Sequence, residues 1–583
     1  MLPHDRAAVD RLARALDVPA LVAQLLLNRG VHADGDARRF LDPRLTGLHA
    51  PATLPGIPEA ADRLMAAIAD GRGICVYGDY DVDGVTGSAI LLRCLELLGA
   101  KPDLHIPHRL EEGYGLNREA LRQIAANGSK VVVTVDCGIA SLEEAEEAKA
   151  LGLELIVTDH HQMKATLPDA AVLVHPRLPG SRYPFEGLCG AGVALKLAWA
   201  LAMRHSGGEK VNPVFKEFLL DAIALASLGV VADVVPLRDE NRIMVSFGLN
   251  RLREKPPLGI QALAEAAGLK PGEELRASDI GFKLAPRLNA AGRLQQARLA
   301  VELLTTGQRE RAVDLARHLD NLNSQRQTLE REAVALAKEL ITAQGRQDDP
   351  AFVLATPDWH GGIMGIVAGR LAESYGRPTL IVALPKPDAE GLHGRLAFGS
   401  GRSAAGVELH RALAECGDLL VGHGGHAAAA GFRLEPENVD EFRRRFCEAV
   451  AGRFPEGKPV PEIVIDAEAP LSALTLRLLD SIDKLEPYGA ENRRPVFLAG
   501  GLLVQGEPRK VGQGERHLQF KVRQGAATLK CIAWGMADRV EELMSAGGHC
   551  CLVFAPKRNE WQGRTSVDME VIDFQAGAEA RLA

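Results

Sequence analysis

The sequence predicts a multidomain α/β chain: a parallel-sheet domain, a set of linking helices, a smaller α/β domain and a C-terminal OB-fold-like β-barrel. Three observations carry this reading. At 583 residues the chain is too long for one ordinary core. Between Gly73 and His175, short continuous apolar runs alternate with helical stretches, the pattern of a parallel sheet covered by helices. Beyond Pro459 the texture changes to five short β-patterned runs separated by polar turns, enough strands for a small barrel.

Residues 1–55 read as helical and run into PATLPGIPEA, whose prolines suggest a linker. The parallel-sheet domain is expected over 56–254. GICVY, from Gly73, is its first strand and ends in the loop GDYDVDG; a helix follows over 86–98. KVVVTV (130–135) ends at Asp136, after which Ser141 and Glu144 form a capping-box signature. LELIVT (153–158) ends at Asp159-His160-His161, and AVLVH (171–175) supplies a fourth strand. Linking helices, rich in Arg, Gln and Asn, are expected over 255–345 and contain LAPRLNAAGRL. The smaller α/β domain, over 346–455, is glycine-rich, with GGIMG, GSGRS and GHGGHAAAAG; the barrel is expected over 460–576.

An apolar fraction of 46% and a charged fraction of 25% are those of folded, soluble proteins. The densest apolar segment, 222–235, is interrupted by Ser227, Gly229 and Asp233, so no membrane span is expected. The first sixteen residues carry scattered charges and no apolar core, unlike a secretory signal. Nine cysteines without a C-x-x-C pair predict reduced thiols in the cytoplasm, with neither a disulfide frame nor structural zinc. A net charge of −8 argues mildly against nucleic acid. That objection is weak, because a metallonuclease gathers carboxylates at its centre while local surfaces stay basic.

Ligands of an open parallel sheet bind beyond the carboxyl ends of its strands. Here those ends carry Asp79, Asp81 and Asp83, then Asp136, then Asp159, His160 and His161, and the later run ASLGVVADVV adds Asp233. Converging carboxylates and imidazoles suit a pair of Mn²⁺ or Mg²⁺ ions able to drive phosphoryl transfer. Each piece has a plainer reading. DYDVDG could be a turn or a calcium loop, although it lacks the closing Glu of an EF-hand. Asp136 could cap a helix, and His160-His161 could be solvated. Asp233 resists dismissal, since a carboxylate in so apolar a run needs a partner. Four such coincidences at matching places favour the metal reading.

Substrate contacts are sought among the glycines and arginines. GHGGHAAAAG offers Gly424, Gly425 and His426, with small residues that could open a tightly packed helix; the alternative is a close helix–sheet contact with a surface histidine. GSGRS adds Ser400 and Arg402, and IVAGRLAE adds Arg370, suited to phosphate as planar donors. Arg287, Asn289 and Arg293 could equally form an ordinary polar helix end. GLCGAG lacks the lysine of a P-loop. His423 and His426 have a metal-compatible spacing but no further ligand. In the barrel, basic residues (Arg509, Lys510, Arg516, Lys521, Arg523, Lys530) surround Phe520 and Trp534, as in a single-strand groove or a solvated face over core aromatics.

GDYDVDG, TVDCGI, the Asp-His-His triplet and VADVVPL resemble, in order, the four motifs of the DHH phosphoesterase family. With LAPRLNAAGRL, WHGGIMGIVAGR, GSGRS and GGHAAAAG they are most similar to its single-strand exonuclease branch, from about Ile57 onward. The resemblance implies a DHH domain, a DHH-associated domain facing it across a cleft, and 5′-to-3′ degradation of single-stranded DNA to mononucleotides with Mn²⁺ or Mg²⁺. It implies that Asp79 and Asp81 hold one ion, that Asp136 bridges, and that Asp83, His160 and Asp233 hold the other. His161 would then contact substrate phosphate while Asp159 orients a histidine. Asp79 stands where some relatives have histidine. Arg287 and Arg293 would contact backbone phosphates, and Arg370, Arg402 and His426 the substrate. A monomer is expected, working with a single-stranded-DNA-binding protein and a helicase and with no membrane. A catalytically silent scaffold, or a phosphodiesterase for cyclic dinucleotides or very short oligonucleotides, is the alternative. The barrel and the Arg-rich helices argue instead for a long threaded strand.

Overall fold

Strands apolar on both faces must be covered on both faces, and the first sheet obeys that constraint. The computed structural model describes residues 2–3, 5–108, 112–386, 396–453 and 462–577; the domain boundary expected at 455–460 lies outside them. Five parallel strands, β1 (Gly73–Tyr77), β2 (Asp103–His105), β3 (Ser129–Thr134), β4 (Glu154–Thr158) and β5 (Val172–Val174), run in the order β2-β1-β3-β4-β5. One face packs on helices through Val85, Ile90 and Ala194, the other through Leu121, Ile124 and Ala148. The short edge strand β2 is not legible in the sequence because three residues with one apolar side chain make no pattern.

Two local expectations are corrected. Ser141 occupies the cap position of helix Leu142–Ala150 but its hydroxyl makes no capping bond, so the capping box does not form. PATLPGIPEA is no linker. Pro51–Thr53 is a 3-10 turn, Ile57–Ala69 is a helix with Pro58 in its first turn, and Leu54, Ile57 and Ala60 are buried in the sheet domain's core.

The connecting region is helical: Leu258–Ala266, then Ala277–Asp279 passing through a π turn (Ile280–Leu284) into Ala285–Arg293, then Ala297–Thr305 and the 35-residue Arg309–Ala343. The second sheet contains β6 (Phe352–Thr356), β7 (Thr379–Ala383), β8 (Ala397–Arg402), β9 (Gly422–Gly425) and β10 (Ala429–Leu434), ordered β6-β7-β8-β10-β9. GHGGHAAAAG therefore forms a hairpin of β9 and β10 and does not open a helix. Residues this small offer no apolar stripe for a helix to bury, whereas pairing with β8 satisfies their backbone.

The C-terminal sheet comprises β11 (Ala467–Glu468), β12 (Phe497–Val504), β13 (Arg509–Val511), β14 (His517–Gln524), β15 (Ala527–Ala533), β16 (His549–Trp561) and β17 (Arg564–Ala576). The ring β12-β16-β17-β15-β14 closes back on β12, with only the β15–β17 contact parallel. It is a five-stranded OB barrel. Phe520 points into its core at 4% exposure, so of the two aromatics singled out in the sequence only Trp534, 51% exposed, reaches solvent, with His517 packed edge-on against it and its Nε1 donating to Glu570 at 2.9 Å.

Helices Arg6–Leu16, Ala20–Asn28 and Asp34–Leu41 do not pack as a separate unit. Leu12, Leu25 and Leu26 share a core with Leu479, Phe497 and Leu502 of the barrel region. Asn28 donates to the Asp466 carbonyl at 2.9 Å, 438 positions away, and Arg29 Nε donates to Asn492 Oδ1 at 2.6 Å. All nine cysteines are unpaired, and among the described residues no helix is long and apolar enough to cross a membrane.

Because the N-terminal helices complete the barrel's core, Leu26→Ala is expected to cost about 2–5 kcal/mol in the barrel's unfolding transition. A urea melt monitored in the C-terminal region checks this, and an unchanged midpoint would contradict the shared core.

Candidate metal centre and substrate cleft

Four chain segments deliver carboxylates and imidazoles to the carboxyl ends of β1, β3 and β4. Asp81 caps the helix Val82–Leu97, its Oδ1 accepting from Asp83 N at 2.9 Å and Gly84 N at 3.1 Å. Asp83, in the first turn of that helix, accepts from Gly190 N at 2.6 Å and Ala191 N at 2.9 Å, at the N-terminus of helix Gly190–Ser206. GLCGAG thus uses its helix N-terminus as an anion site, but the anion is a carboxylate of the same chain. Asp136 follows β3 in the left-handed region (φ 65), costing about 1–3 kcal/mol. Asp233 lies at the C-terminal end of helix Pro213–Ala232, not on a strand, and is followed by Val234 at φ 58, an uncommon conformation for a β-branched residue.

The donor atoms meet. His160 Nε2 lies 3.0 Å from Asp136 Oδ1, 3.7 Å from Asp83 Oδ2 and 3.6 Å from Asp233 Oδ2. Ligand atoms of Asp79, Asp81 and Asp136 lie within 4.8 Å of one another, as do those of Asp83, His160 and Asp233, and those of Asp136, His160 and His161. Asp136 Oδ1 and His160 Nε2 are buried, and although they lie 3.0 Å apart neither makes a hydrogen bond of acceptable geometry. Buried polar atoms left unsatisfied in this way, among so many carboxylates, fit divalent cations.

Electrostatics agrees. Burial, then the charges of Asp83 and Asp81, pushes Asp233 up to about 8. Burial and neighbouring carboxylates likewise raise Asp136 and Asp81. Burial lowers His160 to about 4, keeping its imidazole neutral and able to ligate. Asp159 differs. Burial opposes its charge, but the His161 ring and the amides of Ile139, His160 and His161 hold it at about 2. His161 is in turn raised to about 9, because its bond to Asp159 outweighs desolvation. Tyr114 Oη contacts the His161 ring at 2.9 Å and donates to the Asp136 carbonyl at 3.1 Å.

Sequence reasoning missed Tyr114 and three glycines. A Cβ on Gly84 would stand 2.6 Å from Asp79 Cβ; one on Gly190, 2.5 Å from Asp136 Cβ; one on Gly229 would overlap Asp83 Oδ1. In the sequence Gly229 reads only as an interruption of an apolar run. Gly84, inside GDYDVDG, was the available signal; Gly190 and Gly229 meet their carboxylates only through tertiary packing.

The expected substrate residues divide. Asn289, Arg293 and Arg370 line a cleft of about 880 Å³ between the sheet domain, the linking helices and helix Met364–Tyr375. Asn289 Oδ1 accepts from Val82 N at 3.2 Å, bracing the DYDVDG loop, and Arg293 donates to the Gly362 carbonyl at 3.1 Å. Arg370 pairs with Glu330 at 2.6 Å. Arg287 is not among the cleft's lining residues: Asp320 at 2.9 Å and the Lys283 carbonyl at 2.7 Å hold it. Ser400 and Arg402 on β8 face Gly365 at the start of helix Met364–Tyr375. Gly424 and Gly425 sit on β9, and His426 is exposed at the hairpin turn. Among the described residues the groups able to hold an ion include neither His423 nor His426.

A parallel sheet ending in this acidic and histidine cluster, joined by helices to a smaller α/β domain, defines a DHH phosphoesterase. Family models match accordingly: the DHH family N-terminal domain over residues 73–227, the DHHA1 domain over 348–452 and the RecJ OB domain over 465–573. The single-stranded-DNA-specific exonuclease RecJ of Bacillus subtilis (strain 168) is 37% identical over 98% of this chain and 70% of its own length. Crystal structures of RecJ from Thermus thermophilus superpose in complex with Mn²⁺ (TM-score 0.82, 33% identity, 99% of this chain and 79% of that one) and with Mg²⁺ (0.76, 32%, 99% and 78%). The chain belongs to the RecJ family.

Two outcomes follow from this geometry. Gly190→Ala is expected to displace Asp136 and weaken Mn²⁺ binding at least tenfold by calorimetry, an effect of the size seen when a ligand's support is lost. Unchanged affinity would contradict the close approach. In metal-free protein, carboxylates raised above their unfolded values bind protons on folding. Their stabilisation is full below about pH 4 and, for Asp233, is lost as pH rises through about 8. Thermal melts in EDTA should therefore fall across this range, and Mn²⁺ at pH 8 should restore them.

Proposed function

We propose that this chain is an exonuclease specific for single-stranded DNA, hydrolysing phosphodiester bonds with two Mn²⁺ or Mg²⁺ ions. The observation that carries the reading is the meeting of Asp136 and His160, each with an unsatisfied buried atom, inside a ring of further carboxylates. Asp79 and Asp81 would hold one ion, Asp83, His160 and Asp233 the other, and Asp136 both. Bound there, the ions would supply a water nucleophile at neutral pH and stabilise the leaving oxygen.

The chain's own groups complete the site. His161, protonated at neutral pH by its bond to Asp159, would hold a phosphate oxygen, with Tyr114 fixing the ring. Asn289 braces the first acidic loop, while Arg293 and Arg370 supply cations to the cleft. Ser400, Arg402, Gly424, Gly425 and His426 form the facing phosphate surface. Arg287, paired with Asp320, reaches phosphate only by exchanging that partner.

The functional units are residues 56–254 for hydrolysis, 255–345 for linkage, 346–455 for substrate phosphate and 460–576 for strand binding, with the N-terminal helical segment 1–55 supporting the barrel through its first three helices. On the barrel, Lys521 pairs across the sheet with Lys530 and Arg523 with Thr528, and Trp534 lies at the end of the same strand. Backbone charge and one aromatic suit sequence-independent binding. By family, the direction is 5′ to 3′ and the product a mononucleotide. The nine unpaired thiols suit a reducing cytoplasm, where a monomer would work on strands supplied by a helicase and single-stranded-DNA-binding protein.

Asp136→Ala is expected to abolish turnover and leave strand binding largely intact; measurable hydrolysis by this variant would remove the bridging role. Strands labelled separately at each end, digested with and without Mn²⁺, should release label first from the 5′ end and only with metal. Early release from the 3′ end would reverse the assigned direction.

A further inference from the structure

The most exposed large apolar side chain among the described residues is Phe282, at 83%. It stands on the π turn Ile280–Leu284 and lines the cleft described above. π turns are costly to form and concentrate at functional positions. This one also packs against the helix that leads to Asp233. Its Gly281 packs toward Val231, where an added Cβ would lie 3.7 Å from the valine methyl, and Val231 belongs to the helix that ends at Asp233. The same helical path continues to Asn289, which bonds the DYDVDG loop. Val234, 69% exposed, adds a second apolar surface to the cleft.

The rest of the lining is largely apolar, and its charged groups are mainly cationic. Arg293, Arg326, Arg331 and Arg370 line it with one buried carboxylate, Glu330. Glu330 engages Arg326 and Arg370, whereas Arg331 has no carboxylate partner among the described residues; it bonds the Gln327 carbonyl and Thr328 Oγ1. A solvated aromatic among guanidinium groups suits a ligand with a flat apolar face and an anionic backbone, which is a nucleotide strand.

We propose that Phe282 is a stacking platform for one nucleobase of the bound strand, a substrate contact beyond the phosphate-binding residues. It rests on the exonuclease reading. Stacking on the ring requires an open base face, so Phe282 engages an unpaired strand and holds it in the cleft beside the helix that carries Asp233. Every base has such a face, so the contact selects for single-strandedness and not for sequence.

The test is strand affinity of the full chain in EDTA, so that the strand is not consumed, by fluorescence anisotropy. The probes are an intact 5′-phosphorylated oligonucleotide and a series each with one abasic position. Phe282→Ala should bind the intact strand about 5- to 150-fold more weakly, the loss expected for one stacked base. One abasic position should weaken the wild type and have no effect on Phe282→Ala, and Phe282→Trp should restore affinity. Affinity of Phe282→Ala within twofold of wild type, or identical abasic penalties in both proteins, overturns the proposal. If the wild type neither binds the strand nor degrades it with Mn²⁺, the exonuclease reading falls as well; wild-type binding with an indifferent Phe282→Ala removes only the stacking contact. A concentration-dependent change of oligomeric state in Phe282→Ala, without loss of strand affinity, would assign the ring to a contact between copies and likewise overturn it.

Discussion

Concentrated negative charge is the constraint on which the rest of this structure depends. Asp79, Asp81, Asp83, Asp136 and Asp233 converge on one partly buried place, where each raises the cost of ionising the next. The protein offsets this cost with backbone. The N-termini of two helices donate to Asp81 and Asp83, and glycines at 84, 190 and 229 let carboxylates approach where any side chain would collide. What the amides do not neutralise is left for divalent cations, so charge repulsion in the empty site becomes affinity in the loaded one.

Asp159 shows the opposite arrangement in the same loop. It makes no approach to the cluster and commits its oxygens to three amides and one imidazole. That choice keeps His161 cationic while His160, one residue earlier, stays neutral. Adjacent histidines thereby differ in charge: burial keeps His160 neutral, as an ion ligand must be, while the bond to Asp159 keeps His161 cationic, as suits an anion.

Away from the centre, the architecture turns a hydrolytic site into one that receives a strand. The linking helices both brace the first acidic loop through Asn289 and wall the cleft with arginines. The loop around Asn492, gripped by Arg29 and Arg242 contacts, joins the N-terminal helices, the sheet domain and the barrel, and Ala490 accepts from Leu237 N just beyond Asp233. Barrel and metal site are therefore mechanically continuous.

By itself the sequence determined the parallel sheet, the closed barrel and the acidic and histidine residues, because apolar periodicity and strand-end chemistry are local properties of a chain. Motif order also carried the family. Only tertiary structure decided that residues 1–41 complete the barrel's core, that PATLPGIPEA is buried, that GHGGHAAAAG is a hairpin, that Phe520 points inward and that Arg287 is tied to Asp320. Each of these depends on a partner distant in sequence, and pattern within one segment holds no record of the surface it will meet.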